Sequence, residues 1–198
     1  EALTANTTGF LNTAIGRTSL VNNTTGYNNT ALGALTLFCN TTGRFNTALG
    51  ICALRYNTAN NNTAVGAQSM LYNTTGYANA AFGFRSLAAN TTGKSNTAVG
   101  YYALRCNTVG ASNTSVGTQA LRSNTIGTDN ASLGFFTLQA NTTGNQNTAV
   151  GSNTLSSNTG GTGNTALGSS AMLLNTTGAR NIGISRYALR NNTTGGSN

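Results

Sequence analysis

The residues able to do chemistry in this chain are few, and most of them are cationic: ten Lys or Arg stand against two acids, for a formal charge of +8 over 198 residues. Four of the arginines, Arg55, Arg105, Arg122 and Arg190, fall at one place in a recurring unit and would form a sparse stripe. Guanidiniums in file suit phosphorylated or acidic glycans, with a strong salt dependence. The alternative is solubility and repulsion between fibres in an otherwise nearly uncharged chain. The only acids, Glu1 and Asp129, provide neither a carboxylate pair for acid–base work nor an oxygen cage for a hard cation. With no His there is no imidazole ligand and no Ser/His or Cys/His nucleophile. No catalytic, cofactor or metal site is therefore expected, and the chain reads as a non-enzyme.

Three cysteines complete the reactive set: Cys39, Cys52 and Cys106. They lack metal spacing such as C-x-x-C. Cys39 and Cys106 share a unit position four repeats apart, about 19 Å if each repeat advances one strand spacing, beyond the roughly 7 Å reach of a disulfide. They are expected to be small fillers, with an interchain bridge or a reactive thiol as the alternative.

What must position these groups is a repeat. The motif opening at Asn12 returns at Asn29, Asn46, Asn62, Asn79, Asn96, Asn113, Asn130, Asn147, Asn164 and Asn181, every 17 residues except for one step of 16. Numbering that Asn as position 1, the unit reads N-T-A-(L/V/I)-G-x-x-(A/S/T)-L-x-x-N-T-T-G-x-x. Helix pairs need thirty or more residues, heptads and a Gly every third residue are absent, and the Gly and Asn density opposes helix. The spacing predicts an all-β fold, a parallel β-solenoid over 1–198 with one coil per unit, about 12 coils, as a single array. The Asn residues at positions 1 and 12 are expected to bond from coil to coil as a structural ladder. Gly at position 15 is expected to supply positive φ, with Asn60 standing in for it in the short unit. The chain starts and stops in mid-unit without a polar cap, which suggests an excerpt or protomer of a longer fibre.

Alternation along the strand places Thr13 and Ile15 on one side and Ala14 on the other. If the large apolar position 4 faces inward, positions 3 and 5 face outward. Their invariant smallness then suggests a second backbone approaching closely, and the rod is expected to bury a face against copies of itself; the alternative is two tightly apposed sheets within one chain, where Gly and Ala fit a thin interior.

Asn96 to Leu104, N-T-A-V-G-Y-Y-A-L, resembles the head repeat of YadA-like trimeric autotransporter adhesins, and similar repeats occur in phage tail fibres. The present unit is longer and adds the N-T-T-G turn. The resemblance implies a left-handed parallel β-roll assembled as a homotrimer, extracellular, on a cell or virion surface.

The expected function is then a stiff, adhesive extracellular filament segment whose partner is itself, as a trimer or by end-to-end stacking, with cell-surface glycans as a further candidate. The aromatics Tyr101, Tyr102, Phe135 and Phe136 are read as chain-to-chain packing, with receptor contact as the alternative. The chief rival is an ice-binding solenoid using Thr columns at positions 2 and 13. A catalytic β-helix would need acids, His or clustered Lys and Arg. Nucleic acid is not an expected partner, since no recognition helix or aromatic platform is visible. No apolar run approaches the roughly eighteen residues of a membrane span. Triplets N-x-(S/T), as at Asn6, Asn40, Asn73, Asn90, Asn141 and Asn175, arise from the repeat itself and carry little information on glycosylation.

Overall fold

The computed structural model, which describes residues 1–198, is a β-solenoid without helices. Eleven three-residue strands occupy positions 2 to 4: β1 (Thr13–Ile15), β2 (Thr30–Leu32), β3 (Thr47–Leu49), β4 (Thr63–Val65), β5 (Ala80–Phe82), β6 (Thr97–Val99), β7 (Thr114–Val116), β8 (Ala131–Leu133), β9 (Thr148–Val150), β10 (Thr165–Leu167) and β11 (Ile182–Ile184). They form one sheet in sequence order. Every pair is parallel and in register, so that Thr13 meets Thr30, Ala14 meets Ala31 and Ile15 meets Leu32. Eleven strands define about ten full turns, fewer than the 12 coils expected, because the outermost units contribute only part of a coil.

The strands are a minor part of the ladder. Of 134 backbone hydrogen bonds, 114 lie outside them. Positions 2, 9 and 11 donate to the next coil, as in Thr97 to Asn113, Leu104 to Ala120 and Cys106 to Arg122; positions 5, 7 and 17 donate to the previous one, as in Gly100 to Phe82, Tyr102 to Phe84 and Ser112 to Lys94. Short i to i−3 turns from position 8 to 5 and from 12 to 9, such as Ala103 to Gly100 and Asn107 to Leu104, fold each coil. That path requires left-handed backbone at positions 7, 9 and 17, where Tyr102, Leu104 and Ser112 have φ of 58°, 49° and 57°. Leucine seldom adopts this conformation. Here burial of the side chain offsets the strain, since Leu20, Leu37, Leu54, Leu87 and Leu104 are fully enclosed.

The core reverses the expected strand orientation. Position 3 points inward, with Ala31, Ala48, Ala64, Ala81 and Ala98 at 0% exposure, while position 4 points out, with Ile15 at 60% and Leu133 at 51%. The reason is width: the interior holds the position 9 side chain against the strand and has room opposite it only for Ala, Ser or Gly. Smallness at position 3 thus reflects a thin interior, not a second chain.

The two glycine columns are also explained differently from expectation. Position 5 carries the positive φ, 134° at Gly100, and a Cβ there would lie 2.5 Å from the Gly117 carbonyl oxygen. Position 15 does not need positive φ; at Gly93 a Cβ would sit 2.5 Å from the Gly110 carbonyl oxygen, so close stacking alone demands glycine. In the short unit this place belongs to Ala59, not Asn60. The Ala59 carbonyl accepts from Asn46 Nδ2 at 2.8 Å and Asn57 Nδ2 at 2.9 Å, the role glycine carbonyls play elsewhere. Asn60 has moved to position 16, where its carbonyl accepts from Ala78.

Candidate functional site

Two Asn columns run inside the coil. At position 1 each Oδ1 accepts both the backbone N–H and Nδ2 of the next Asn, as when Asn96 Oδ1 takes Asn113 N at 3.0 Å and Asn113 Nδ2 at 3.2 Å. The remaining Nδ2 hydrogen goes to the position 15 carbonyl, Asn113 to Gly127 at 2.8 Å. The same pattern places Asn12, Asn29 and Asn46 in file. It continues through Asn79, Asn130, Asn147, Asn164 and Asn181. At position 12 each Nδ2 bonds the previous Asn Oδ1 and its own turn carbonyl, as for Asn107 with Asn90 at 2.9 Å and Gly110 at 2.9 Å. These side chains are buried at almost no polar cost because every donor has a partner. Of the sequon asparagines, Asn40, Asn73, Asn90, Asn141 and Asn175 are fully enclosed in this column, and so cannot accept a glycan in the folded chain.

The short coil breaks both columns. Asn62 Nδ2 turns from Asn46 to Asn57 Oδ1 at 3.1 Å, and Asn40 Oδ1 is left buried without a partner. A recess lined by Thr58, Ala59, Asn60, Asn61, Thr75 and Tyr77 opens beside it.

Outside, three surfaces differ in chemistry. The sheet face presents positions 2 and 4, a column of Thr beside a column of apolar residues, aliphatic except for Phe82, and Ile15, Leu32, Leu49, Phe82, Leu133, Leu167 and Ile184 are exposed along it. All ten Lys and Arg lie at other positions. The turn presents a second Thr column at position 13, but its hydroxyls donate to the next coil's carbonyl, as from Thr91 to Thr108 and Thr108 to Thr125, both at 3.1 Å. The two Thr columns are therefore unlike: the turn column is engaged in the ladder, whereas the sheet column faces solvent.

The third surface carries the arginine stripe at position 10, and it is discontinuous. Arg105 and Arg122 occupy adjacent coils, and their guanidiniums lie 4.9 and 5.8 Å from the centroid of the Tyr102 ring. Arg55 sits over Tyr56 at 5.1 Å and Phe38 at 5.7 Å, with Leu71 and Ala88 separating it from Arg105 along the column. Arg190 is remote, over Tyr187 at 5.4 Å. Arg85, a position 7 residue absent from the stripe, also belongs here: its Nε donates to Gln68 Oε1. Laying the units side by side at position 7 as well as 10 would have revealed it.

Beside these cations the rings of Tyr101 and Tyr102 lie 4.1 Å apart, and those of Phe135 and Phe136 3.9 Å apart. A hydrogen bond with Tyr101 draws the Tyr102 phenol below its usual range, aided by Arg85 and Arg105, and the same bond pushes Tyr101 up. All three cysteines are free and half-buried. Burial raises the Cys39 thiol, opposed by Arg55. No group of three or more His, Cys, Asp or Glu converges to hold a metal. There is no helix long and apolar enough to cross a membrane. No family model, curated protein or solved structure matches the chain.

Proposed function

We propose that the chain is a structural segment of an extracellular or virion-surface filament, whose rods pack through the sheet face against copies of themselves. The observation that carries this reading is the uncharged aliphatic column at position 4, which runs from Ile15 to Ile184 on a chain of net charge +8. Large apolar side chains in an unbroken file outside a fold usually mark an interaction surface. Their differing sizes, Val99 and Val116 between Phe82 and Leu133, suit interdigitation with another side-chain layer. The resemblance of Asn96 to Leu104 to trimeric adhesin head repeats favours three chains.

The test is sedimentation of the full chain beside a Val99→Lys, Val116→Lys variant. The unmodified chain should sediment as an oligomer, trimeric on this reading, and the variant as a monomer with its β circular dichroism retained. A monomeric unmodified chain at tens of micromolar ends the proposal.

Ice binding draws support from the outward Thr column at position 2, which includes Thr97, Thr114, Thr148 and Thr165. Against it, Ala80, Ala131 and Ile182 interrupt that column and the aliphatic file beside it is uneven in height. Thermal hysteresis at millimolar protein would favour this second reading.

A further inference from the structure

In consecutive coils positions 10 and 11 hold Arg55 and Tyr56, Leu71 and Tyr72, Ala88 and Ala89, then Arg105 and Cys106, so that the pair Ala88 and Ala89 falls between bulkier neighbours at position 10 and follows two tyrosines at position 11. The missing bulk leaves a surface notch of about 240 Å³. Its floor is Ala88 and Ala89, and Leu71 and Tyr72 form one wall, Arg105 and Cys106 the other, with Arg85 entering from the side. Tyr72 already stacks on Tyr56 with centroids 5.6 Å apart and planes within 6°. Its opposite face turns toward the notch, where one further ring would continue the stack over Ala89. Arg85 and Arg105 border the same space, and no carboxylate neutralises either: Glu1 lies five coils before Arg85, and Asp129, one coil beyond Arg105, stands at position 17, separated from position 10 by the N-T-T-G turn.

We propose that this notch binds an acidic sugar, a pyranose bearing a carboxylate or sulfate, with its ring against Tyr72 and its anion between Arg85 and Arg105. An apolar floor and a single aromatic face suit the C–H side of a pyranose. Two guanidiniums suit its anion, because they offer paired N–H donors. The outer side is open, so the ring hydroxyls stay hydrated and a longer polysaccharide can pass through. A nucleic-acid strand fits less well: successive bases need successive stacking platforms, and beyond Tyr72 the column continues only with Ala89, Cys106 and Ser123. The notch lies outside the sheet face and does not depend on self-association.

The experiment is calorimetric titration of the full chain with a heparin-derived tetrasaccharide, beside maltotetraose, inorganic sulfate and a ten-nucleotide oligothymidine. Two variants address the notch. Ala89→Tyr fills it while keeping every charge, at a position that already accepts Tyr in two coils; Arg105→Gln removes one anion contact. Arg190→Gln is the control, with the same loss of charge in the same column far from the notch. The expected result is saturable binding of the tetrasaccharide alone, weakened at least tenfold by Ala89→Tyr and by Arg105→Gln and unchanged by Arg190→Gln. Bound tetrasaccharide should also shield Cys106, but not Cys52, from alkylation. Absence of binding overturns the proposal. So do equal losses from Arg105→Gln and Arg190→Gln, or indifference to Ala89→Tyr, which would mean diffuse attraction to a cationic rod. Comparable binding of maltotetraose, sulfate or oligothymidine would overturn the assignment to an acidic sugar. Should Ala89→Tyr fail to fold, Tyr72→Ala, at a side chain already 53% exposed, is to lose the same tenfold.

Discussion

At the scale of single residues, stability rests on side chains whose neighbours repeat above and below. Leu104 is fully enclosed between Leu87 and Leu121. Leu104→Ala should cost about 2–5 kcal/mol, since a stacked backbone held by ladder bonds cannot collapse into the cavity, and denaturant unfolding would measure it. Asn113 permits a sharper comparison. In Asn113→Ala, Asn130 N loses its acceptor, while Asn96 Oδ1 keeps the backbone N–H of residue 113 and Gly127 keeps Asn124 Nδ2. The expected loss is about 1–3 kcal/mol. Asn113→Asp keeps the acceptor but turns a second carboxyl oxygen toward Asn96 Oδ1 and the Gly127 carbonyl, which Nδ2 now satisfies. Burial among acceptors raises the folded pKa of such a carboxyl above its unfolded value near 4. The folded state then binds more protons than the unfolded, so stability falls as pH rises from about 4 toward neutrality. Urea midpoints at pH 4 and pH 7 should therefore diverge for Asn113→Asp and not for Asn113→Ala. On the surface, Tyr102 should ionise ahead of its neighbour Tyr101, because the bond between them lowers Tyr102, aided by Arg85 and Arg105, and raises Tyr101. Absorbance titration near 295 nm should show that early step, and Tyr101→Phe should move it upward.

At the scale of the element, the 17-residue coil shows what a sequence pattern determines and what it leaves open. Period, strand place and column membership were legible because each follows from counting. Orientation was not. A three-residue strand offers only one alternation, T-A-L, and assigning its largest side chain inward is sound only when the interior is wide. Here Leu104 fills the space and Ala98 is all that fits opposite, so Val99 turns outward. The inward Asn columns offend the same habit of placing polar groups outside, and they become admissible only because every donor is matched. The left-handed backbone of Tyr102 and Leu104 left no trace in residue type. The notch was hidden for another reason: it is formed by what Ala88 and Ala89 lack, visible only when neighbouring coils are laid side by side. The short coil tests this account. Inserting Thr after Thr58 together with Ala59→Gly restores N-T-T-G and should supply the donor missing at Asn40 Oδ1. A gain of about 1–3 kcal/mol is expected. Deleting Thr92 should create a second fault of similar cost without abolishing the fold, because the loss falls in the same turn. Both are read from urea midpoints.

At the scale of the whole molecule, the sheet face carries exposed apolar side chains and no charge, and this composition makes a prediction about solution behaviour. None of the ten cations is on the sheet face, and none is neutralised by a neighbouring acid. On the filament reading, two rods meeting through that face bury aliphatic surface while their arginines stay outside and repel across solvent. Such repulsion is long-ranged at low ionic strength and screened beyond about 10 Å at 0.1 M salt. The apolar contact is not screened. Added salt should therefore shift the chain toward larger oligomers, the reverse of an assembly held by ion pairs. Association that binds only the folded state also raises the thermal midpoint with protein concentration. Melting at several concentrations in 10 and 150 mM NaCl should show a midpoint that climbs with concentration and more steeply at the higher salt. In Val99→Lys, Val116→Lys the concentration dependence should vanish at both salts. Salt that dissociated the oligomer would assign its contacts to charges instead, and would detach the aliphatic column from any role in assembly.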